Sequence, residues 1–133
     1  MSQDIWINLP VKDVEKSTAF FNEIGFHAMS VGSERAKLTI GQTTLLLFPE
    51  AVFEKFTGSA IADTSHCAEV IFSLGAESRE EVDAIIQKVE SAGGSIFGKP
   101  SENEGWMYGA GFADLDGHRW NLLYMDESNM PKR

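Results

Sequence analysis

The sequence predicts an α+β protein built from paired βαβββ modules. Two observations lead to this prediction: a strand-helix-strand-strand-strand order of apolar patterns occurs twice in the 133 residues, and each occurrence contains one amphipathic helix that ends at glycine. Each module is expected to form a curved four-stranded sheet with its helix packed on one face. The other faces of the two sheets are expected to meet over a cleft.

The first module begins with a short apolar strand that is bounded by Pro10. Asp13 offers an N-cap for the helix, and Gly25 ends it. Gly41-Gln42 is a two-residue hairpin signal between two later strands. The stretch 50–65 is mixed in character and is expected to hold one irregular helical turn. The strands of this module are predicted at 5–9, 26–31, 36–40 and 43–48.

The second module repeats this order. Ser78 and Glu81 form a capping box that opens a helix with apolar residues at i, i+3, i+4 and i+7 from Val82. Gly93-Gly94 ends this helix. Residues 101–105 are predicted to be a polar loop, and Asp114 and Asp116 are assigned to a turn. The strands are predicted at 68–74, 95–97, 106–113 and 118–125.

These patterns predict one domain over residues 1–126. Its first module spans about 4–49, a connector about 50–66 and the second module about 67–126. No Pro-, Gly- or Ser-rich linker separates the modules, which favours one domain over two. Residues 127–133 are predicted to be a polar tail.

The charge and cysteine content exclude several classes of function. The net charge of −9, from 11 basic and 20 acidic residues, argues against nucleic-acid binding and mildly favours a cationic or neutral ligand. The longest apolar run, Leu45 to Phe48, is too short to cross a membrane. Cys67 is the single cysteine, so neither an internal disulfide nor a cysteine-cluster metal site is expected. These features favour the cytoplasm.

Strand periodicity separates the apolar faces, expected under the helices, from the mixed faces, expected to line the cleft. A partly apolar wall with a few polar groups is typical of a small-molecule site. Trp106 is a further candidate for aromatic ligand contact. The residues predicted to line the cleft are Trp6, Asn8, Thr44, Leu46, Phe48, Glu69, Ser73, Arg119, Asn121 and Leu123.

Each of these candidates also has a purely structural interpretation. Glu69 can be a solvent-facing residue of an edge strand, and Trp6 can belong to the core or to a dimer interface. Asn121 can satisfy a local backbone group. Arg119 can pair with Glu69 or point to solvent.

Several segments resemble the vicinal oxygen chelate superfamily, which includes glyoxalase I, bleomycin-resistance proteins and extradiol dioxygenases. The resemblance covers roughly residues 4–126, which is nearly the whole chain. The helix at 78–94 is similar to that of bacterial predicted lactoylglutathione lyases. The segments that resemble the opening and closing motifs of the superfamily are Asn8–Val14, Ser17–Phe21, Ile24–Phe26 and Phe112–Asn121.

The resemblance implies a homodimer and a divalent metal, Zn, Ni, Mn, Fe or Co, held by His, Glu or Gln side chains. The four ligand positions of the family fall on Trp6, Leu46, Glu69 and Asn121. Only Glu69 is a carboxylate, and Asn121 offers a neutral carbonyl where Glu is usual. A divalent ion taken from water needs more oxygen or nitrogen donors than this set provides.

We therefore expect a small-molecule-binding protein without nucleic-acid or membrane partners. One alternative is a metal-dependent glyoxalase-like lyase, isomerase or dioxygenase in which Glu69 is a metal ligand or general base. A second alternative is an antibiotic-sequestering protein whose aromatic surface comes from Trp6, Phe48 and Trp106. A structural or regulatory module is a third.

Overall fold

A computed structural model describes residues 4–32 and 34–131 of the chain. The chain divides into two compact units, which we call unit 1 (Met1–Asp63) and unit 2 (Thr64–Arg133). Each unit contains one four-stranded sheet. The last two residues of the predicted polar tail lie outside the described residues, as do residues 1–3.

Unit 1 has a sheet of order β1-β4-β3-β2, in which β1 and β4 run parallel and the other neighbours run antiparallel. Two helices accompany the sheet. The elements in chain order are β1 (Trp6–Val11), α1 (Val14–Glu23), β2 (His27–Val31), β3 (Arg35–Ile40), β4 (Thr43–Pro49) and α2 (Glu50–Thr57).

Local signals set both ends of α1, as predicted. The Asp13 carboxylate accepts a hydrogen bond of 3.0 Å from the backbone N–H of Lys16. Gly25 adopts a φ of 104°, and α1 ends with a 2.9 Å hydrogen bond that the N–H of Phe26 donates to the carbonyl of Phe21. The predicted single turn within 50–65 is too short, because α2 continues to Thr57.

Unit 2 has the same arrangement, with sheet order β5-β8-β7-β6 and β5 parallel to β8. Together the two units confirm the predicted α+β class with paired βαβββ modules. The elements are β5 (Ile71–Gly75), α3 (Arg79–Ser91), β6 (Ser95–Asn103), β7 (Met107–Ala113), β8 (Arg119–Met125) and a 3-10 turn (Glu127–Asn129).

Two strand boundaries differ from the prediction. The strand predicted at 68–74 begins only at Ile71, where β8 begins with Arg119 as its partner, so Glu69 lies before the strand. The strand predicted at 95–97 continues to Asn103 and replaces part of the predicted loop. It can pass through Pro100 because β6 is an edge strand, where a residue without an N–H need not break a ladder.

The capping box at the start of α3 forms as predicted. The Ser78 hydroxyl accepts from the N–H of Glu81, and the Glu81 carboxylate accepts from the N–H of Glu77, each at 3.0 Å. The apolar stripe of the helix packs inward, with Val82 and Val89 fully buried. In the part of the chain that the structure describes, no helix is long and apolar enough to span a membrane.

The turn between β7 and β8 is organised by one buried carboxylate. Asp114 accepts hydrogen bonds of 3.0 Å from the N–H groups of Asp116 and His118 and from the indole N–H of Trp120. Burial raises the pKa of the Asp114 carboxyl, against the opposing effects of His118 and the Trp120 indole. The predicted turn role of Asp114 is therefore confirmed, and the residue also anchors the core.

We expect Asp114→Ala to lower the free energy of unfolding by about 3 kcal/mol, because buried N–H donors lose their acceptor. Urea denaturation followed by tryptophan fluorescence measures this change. Glu90→Ala, at an exposed carboxylate on α3, is the control and should change stability by less than about 0.5 kcal/mol. Equal effects of the two substitutions would show that the Asp114 network does not stabilise the fold.

Candidate functional site

The candidate site lies on one face of the unit 2 sheet, which we call the Arg119 face. Its members alternate with core residues along β5 and β8, since Trp120 and Leu122 are 0% and 1% exposed and point to the other face. Strand register pairs the members across the two strands. The Arg119 face consists of Ile71, Ser73, Phe97, Arg119, Asn121 and Leu123.

Phe97 reaches this face through a β-bulge in β6. The pairs Ile96–Phe112 and Gly98–Gly111 are consecutive on β7, so Phe97 is the extra residue on β6. A Cβ atom added at Gly111 would overlap the Cε1 atom of Phe97. The phenyl ring therefore lies directly against the bare backbone of Gly111.

The Phe97 ring carries the guanidinium group of Arg119. The Cζ atom of Arg119 is 4.8 Å from the ring centroid, which is cation–π geometry. The Arg119 side chain is half-buried, and it forms no ion pair or hydrogen bond with any residue of 4–32 or 34–131. The predicted ion pair between Arg119 and Glu69 does not form. The sequence analysis does not predict the stacking of Arg119 on Phe97.

Asn121 and Ser73 form a polar pair beside Arg119 on the same face. The Nδ2 group of Asn121 donates to the Ser73 hydroxyl oxygen at 3.3 Å. This leaves the Ser73 O–H as a donor, and the Oδ1 atom of Asn121 has no partner within the described part of the chain. The pair can therefore both donate to and accept from a ligand.

An open pocket of about 440 Å³ adjoins this face within unit 2. Apolar side chains contribute much of its wall, because Val70 and Ile71 are each 53% exposed and Phe97 is 49% exposed. Glu69 brings a carboxylate to the rim, and its side chain is exposed. The pocket is lined by residues 66–71, Phe97 and Arg119.

The predicted site residues of unit 1 lie on one face of β1 and β4. Register places Trp6 beside Thr44, Asn8 beside Leu46, and Pro10 beside Phe48. Trp6 is 70% exposed, whereas Phe48 is only 3% exposed. The Phe56 ring, 5.3 Å away, and the Arg35 guanidinium, 5.5 Å away, cover Phe48.

Trp106 lies at the opposite end of the unit 2 sheet from Arg119. Its carbonyl accepts from the N–H of Asp126 at 2.7 Å, just beyond β8. The length of β8 separates it from Arg119 by about 20 Å at about 3.3 Å per residue. Its indole N–H is buried without a partner among the described residues, and it contributes nothing to the pocket wall.

The donor set does not fit a divalent metal ion. Trp6 and Leu46 carry no ligating atom, Glu69 is an exposed carboxylate, and Asn121 is a neutral amide engaged with Ser73. Within residues 4–32 and 34–131, no group of three or more His, Cys, Asp or Glu side chains could hold a metal. The chemistry that this face supports is hydrogen bonding, charge pairing and apolar contact.

Sequence reasoning does not place Phe97 on the Arg119 face, because simple alternation along β6 does not account for the bulge. A signal was nevertheless present: Gly109 and Gly111 lie two residues apart within one strand, and glycines inside strands mark close approach of another group. Sequence position alone does not show which side chain makes that approach.

The family model of the Glyoxalase/Bleomycin resistance protein/Dioxygenase superfamily matches residues 5–122. Among solved structures, a hypothetical protein from S. aureus is 38% identical, with a TM-score of 0.85, over 93% of this chain and 94% of its own. A comparison with curated proteins finds no match.

Two further structures share the fold at lower identity. A genomically encoded fosfomycin resistance protein from Listeria monocytogenes is 20% identical with a TM-score of 0.68, covering 98% of this chain and 99% of its own. A lactoylglutathione lyase from Agrobacterium tumefaciens is 17% identical with a TM-score of 0.65, covering 98% of each chain.

We expect Gly111→Ala to lower the free energy of unfolding by about 2 kcal/mol, because the new methyl group displaces the Phe97 ring. Adding Phe97→Ala should recover about 1 kcal/mol of that loss, a coupling that urea denaturation of the double-mutant cycle measures. Gly75→Ala is the control, since a Cβ atom there meets nothing within 4 Å. If Gly111→Ala costs no more than this control, the ring does not lie against Gly111.

Proposed function

This chain belongs to the Glyoxalase/Bleomycin resistance protein/Dioxygenase superfamily, and on that premise we propose that it is a small-molecule-binding protein whose ligand occupies the Arg119 face. The observation that carries the proposal is the Arg119 guanidinium, which is stacked on Phe97 beside an open pocket and forms no ion pair or side-chain hydrogen bond in the described chain. A half-buried charge with unused donors is a common device for fixing a ligand.

The composition of the pocket supports a small organic ligand. Val70, Ile71 and Phe97 are large apolar side chains left half-exposed at one place, which is costly unless something covers them. Asn121 and Ser73 add one donor and one acceptor. An apolar wall with a few placed polar groups gives both affinity and orientation.

The proposal is for binding that does not require a metal, since the donor set does not fit one. Glu69 supports the alternative of an enzyme, because a carboxylate at the rim of a pocket is able to act as a general base. The lactoylglutathione lyase and the fosfomycin resistance protein share only the fold with this chain, so their names do not decide between the alternatives.

We also propose that the protein acts in the cytoplasm as a homodimer. The lone Cys67 suits a reducing compartment. Trp6 and Ile5 are 70% and 78% exposed at the start of β1, which supplies apolar surface of the kind found at subunit interfaces.

Binding at this face is tested by recording 1H–15N spectra of the protein with a fragment set of equal numbers of neutral, cationic and anionic organic compounds. At least one class should shift the amides of Ile71, Phe97 and Arg119 in a saturable manner. Ile71→Trp should fill the pocket and weaken binding at least about tenfold. Met29→Trp, at a 50% exposed position of unit 1, is the matched control and should leave binding unchanged. Shifts confined to unit 1, or none at all, would contradict the proposal.

We expect incubation with Zn, Ni, Mn, Fe or Co to leave the Tm unchanged and to give no stoichiometric metal by elemental analysis, because too few charged donors converge. The Tm and metal content of the Glu69→Gln variant are measured for comparison. One metal per chain that is lost in Glu69→Gln would instead support the glyoxalase-like lyase alternative, and an assay with hemithioacetals would follow.

A further inference from the structure

We infer that the Arg119 face recognises a small organic monocarboxylate, with Arg119 as the residue that binds the carboxylate. This inference rests on the proposed function and specifies its ligand class. It follows from the geometry of one side chain, from its electrostatic surroundings and from the groups that flank it.

Stacking on the Phe97 ring orients the Arg119 guanidinium group so that it can bind a planar anion. With one surface of the group over the ring at 4.8 Å, the N–H bonds at its edge stay available. Arginine presents these N–H groups as a fork that matches the two oxygens of a carboxylate. Because the side chain is half-buried and already stacks on Phe97, less conformational entropy is lost when the anion binds.

Arg119 differs from Arg79, a second arginine of unit 2 that stacks on an aromatic ring. Arg79 also stacks on an aromatic ring, Tyr124 at 5.2 Å, but it is paired with the Glu102 carboxylate. That carboxylate raises the pKa of Arg79 and neutralises its charge within the protein. Arg119 has no such internal counter-ion among the described residues, so an external anion is its natural partner.

The surroundings of Arg119 favour one negative charge over two. Glu69 lines the same pocket, and the whole chain carries a net charge of −9. A single guanidinium can balance one anionic charge, whereas a second charge on the ligand would meet the Glu69 carboxylate without compensation. The site therefore suits a carboxylate better than a phosphate dianion.

The side chains beside Arg119 indicate which chemical groups the rest of the ligand contains. Ile71 and Phe97 offer apolar surface for a hydrocarbon body next to the carboxylate. Asn121 lies two residues farther along β8, about 7 Å at about 3.3 Å per residue, with Ser73 in register beside it. A second hydrogen-bonding group on the ligand at that distance would meet this polar pair.

The test uses four probes with a similar aromatic body and different head groups: 3-phenylpropionate, 3-phenylpropionamide, 3-phenylpropylamine and phenyl phosphate. Their affinities are measured by 1H–15N titration at low ionic strength, where charge pairing is least screened. The carboxylate is expected to bind about tenfold more tightly than the amide, the amine or the phosphate.

Four variants test which residues determine the affinity for the carboxylate. Arg119→Gln should weaken 3-phenylpropionate binding at least about tenfold, and Arg119→Lys should weaken it less, because it keeps the charge and loses the fork. Glu69→Gln should strengthen it by about two- to threefold. Arg35→Gln is the matched control, because Arg35 also stacks on a phenylalanine, Phe48, but is exposed in unit 1. Arg35→Gln should leave the affinity for 3-phenylpropionate unchanged.

The possible outcomes separate this inference from the proposed function. Equal binding of carboxylate and amide, tighter binding of phenyl phosphate, or no effect of Arg119→Gln would overturn the monocarboxylate assignment and leave small-molecule binding intact. Tightest binding of the amine, weakened by Glu69→Gln, would overturn it in favour of a cationic ligand. Absence of binding by all four probes and by the fragment set would overturn both.

Discussion

The buried carboxylate of Asp114 sets the register between β7 and β8, and the Arg119 face depends on that register. Its two oxygens accept from the N–H groups of Asp116 and His118, which follow it in the chain, and from the indole of Trp120. Trp120 is thereby held in the core, and Arg119 and Asn121, its neighbours in the strand, must point the other way. A slip of one residue would bury the arginine and expose the tryptophan.

The Arg119 face also requires the absence of a side chain at Gly111 of β7. Gly111 lets the phenyl ring of Phe97 lie on the strand itself, and the β6 bulge supplies the extra residue that carries the ring there. Glycine in a strand weakens it and a bulge interrupts pairing, so both features reduce stability locally. Their combined effect is to place an aromatic ring against Arg119, which an ordinary antiparallel pair of strands would not do.

Membership of the superfamily does not by itself decide the chemistry of this chain. The four positions proposed as counterparts of the family's metal ligands hold a tryptophan, a leucine, an exposed glutamate and an asparagine. A fold can keep its shape while its site residues change, and function then follows from the residues.

The sequence alone determined the parts of this protein that rest on local chemistry. Asp13 and Ser78 cap their helices, Gly25 ends the first one, and two-residue alternation assigns Trp120 to the core and Arg119 to the opposite face. Each of these signals involves residues close together in the chain, so the pattern is readable without a partner.

Only the tertiary structure decided what depends on distant residues. The strand containing Ile71 begins opposite the first residue of β8, and β6 tolerates Pro100 because it is an edge strand of its sheet. Phe97 meets Arg119 because a bulge and a glycine on a neighbouring strand coincide in space. Such contacts join different strands that are separated along the chain, and no periodicity in the sequence encodes them.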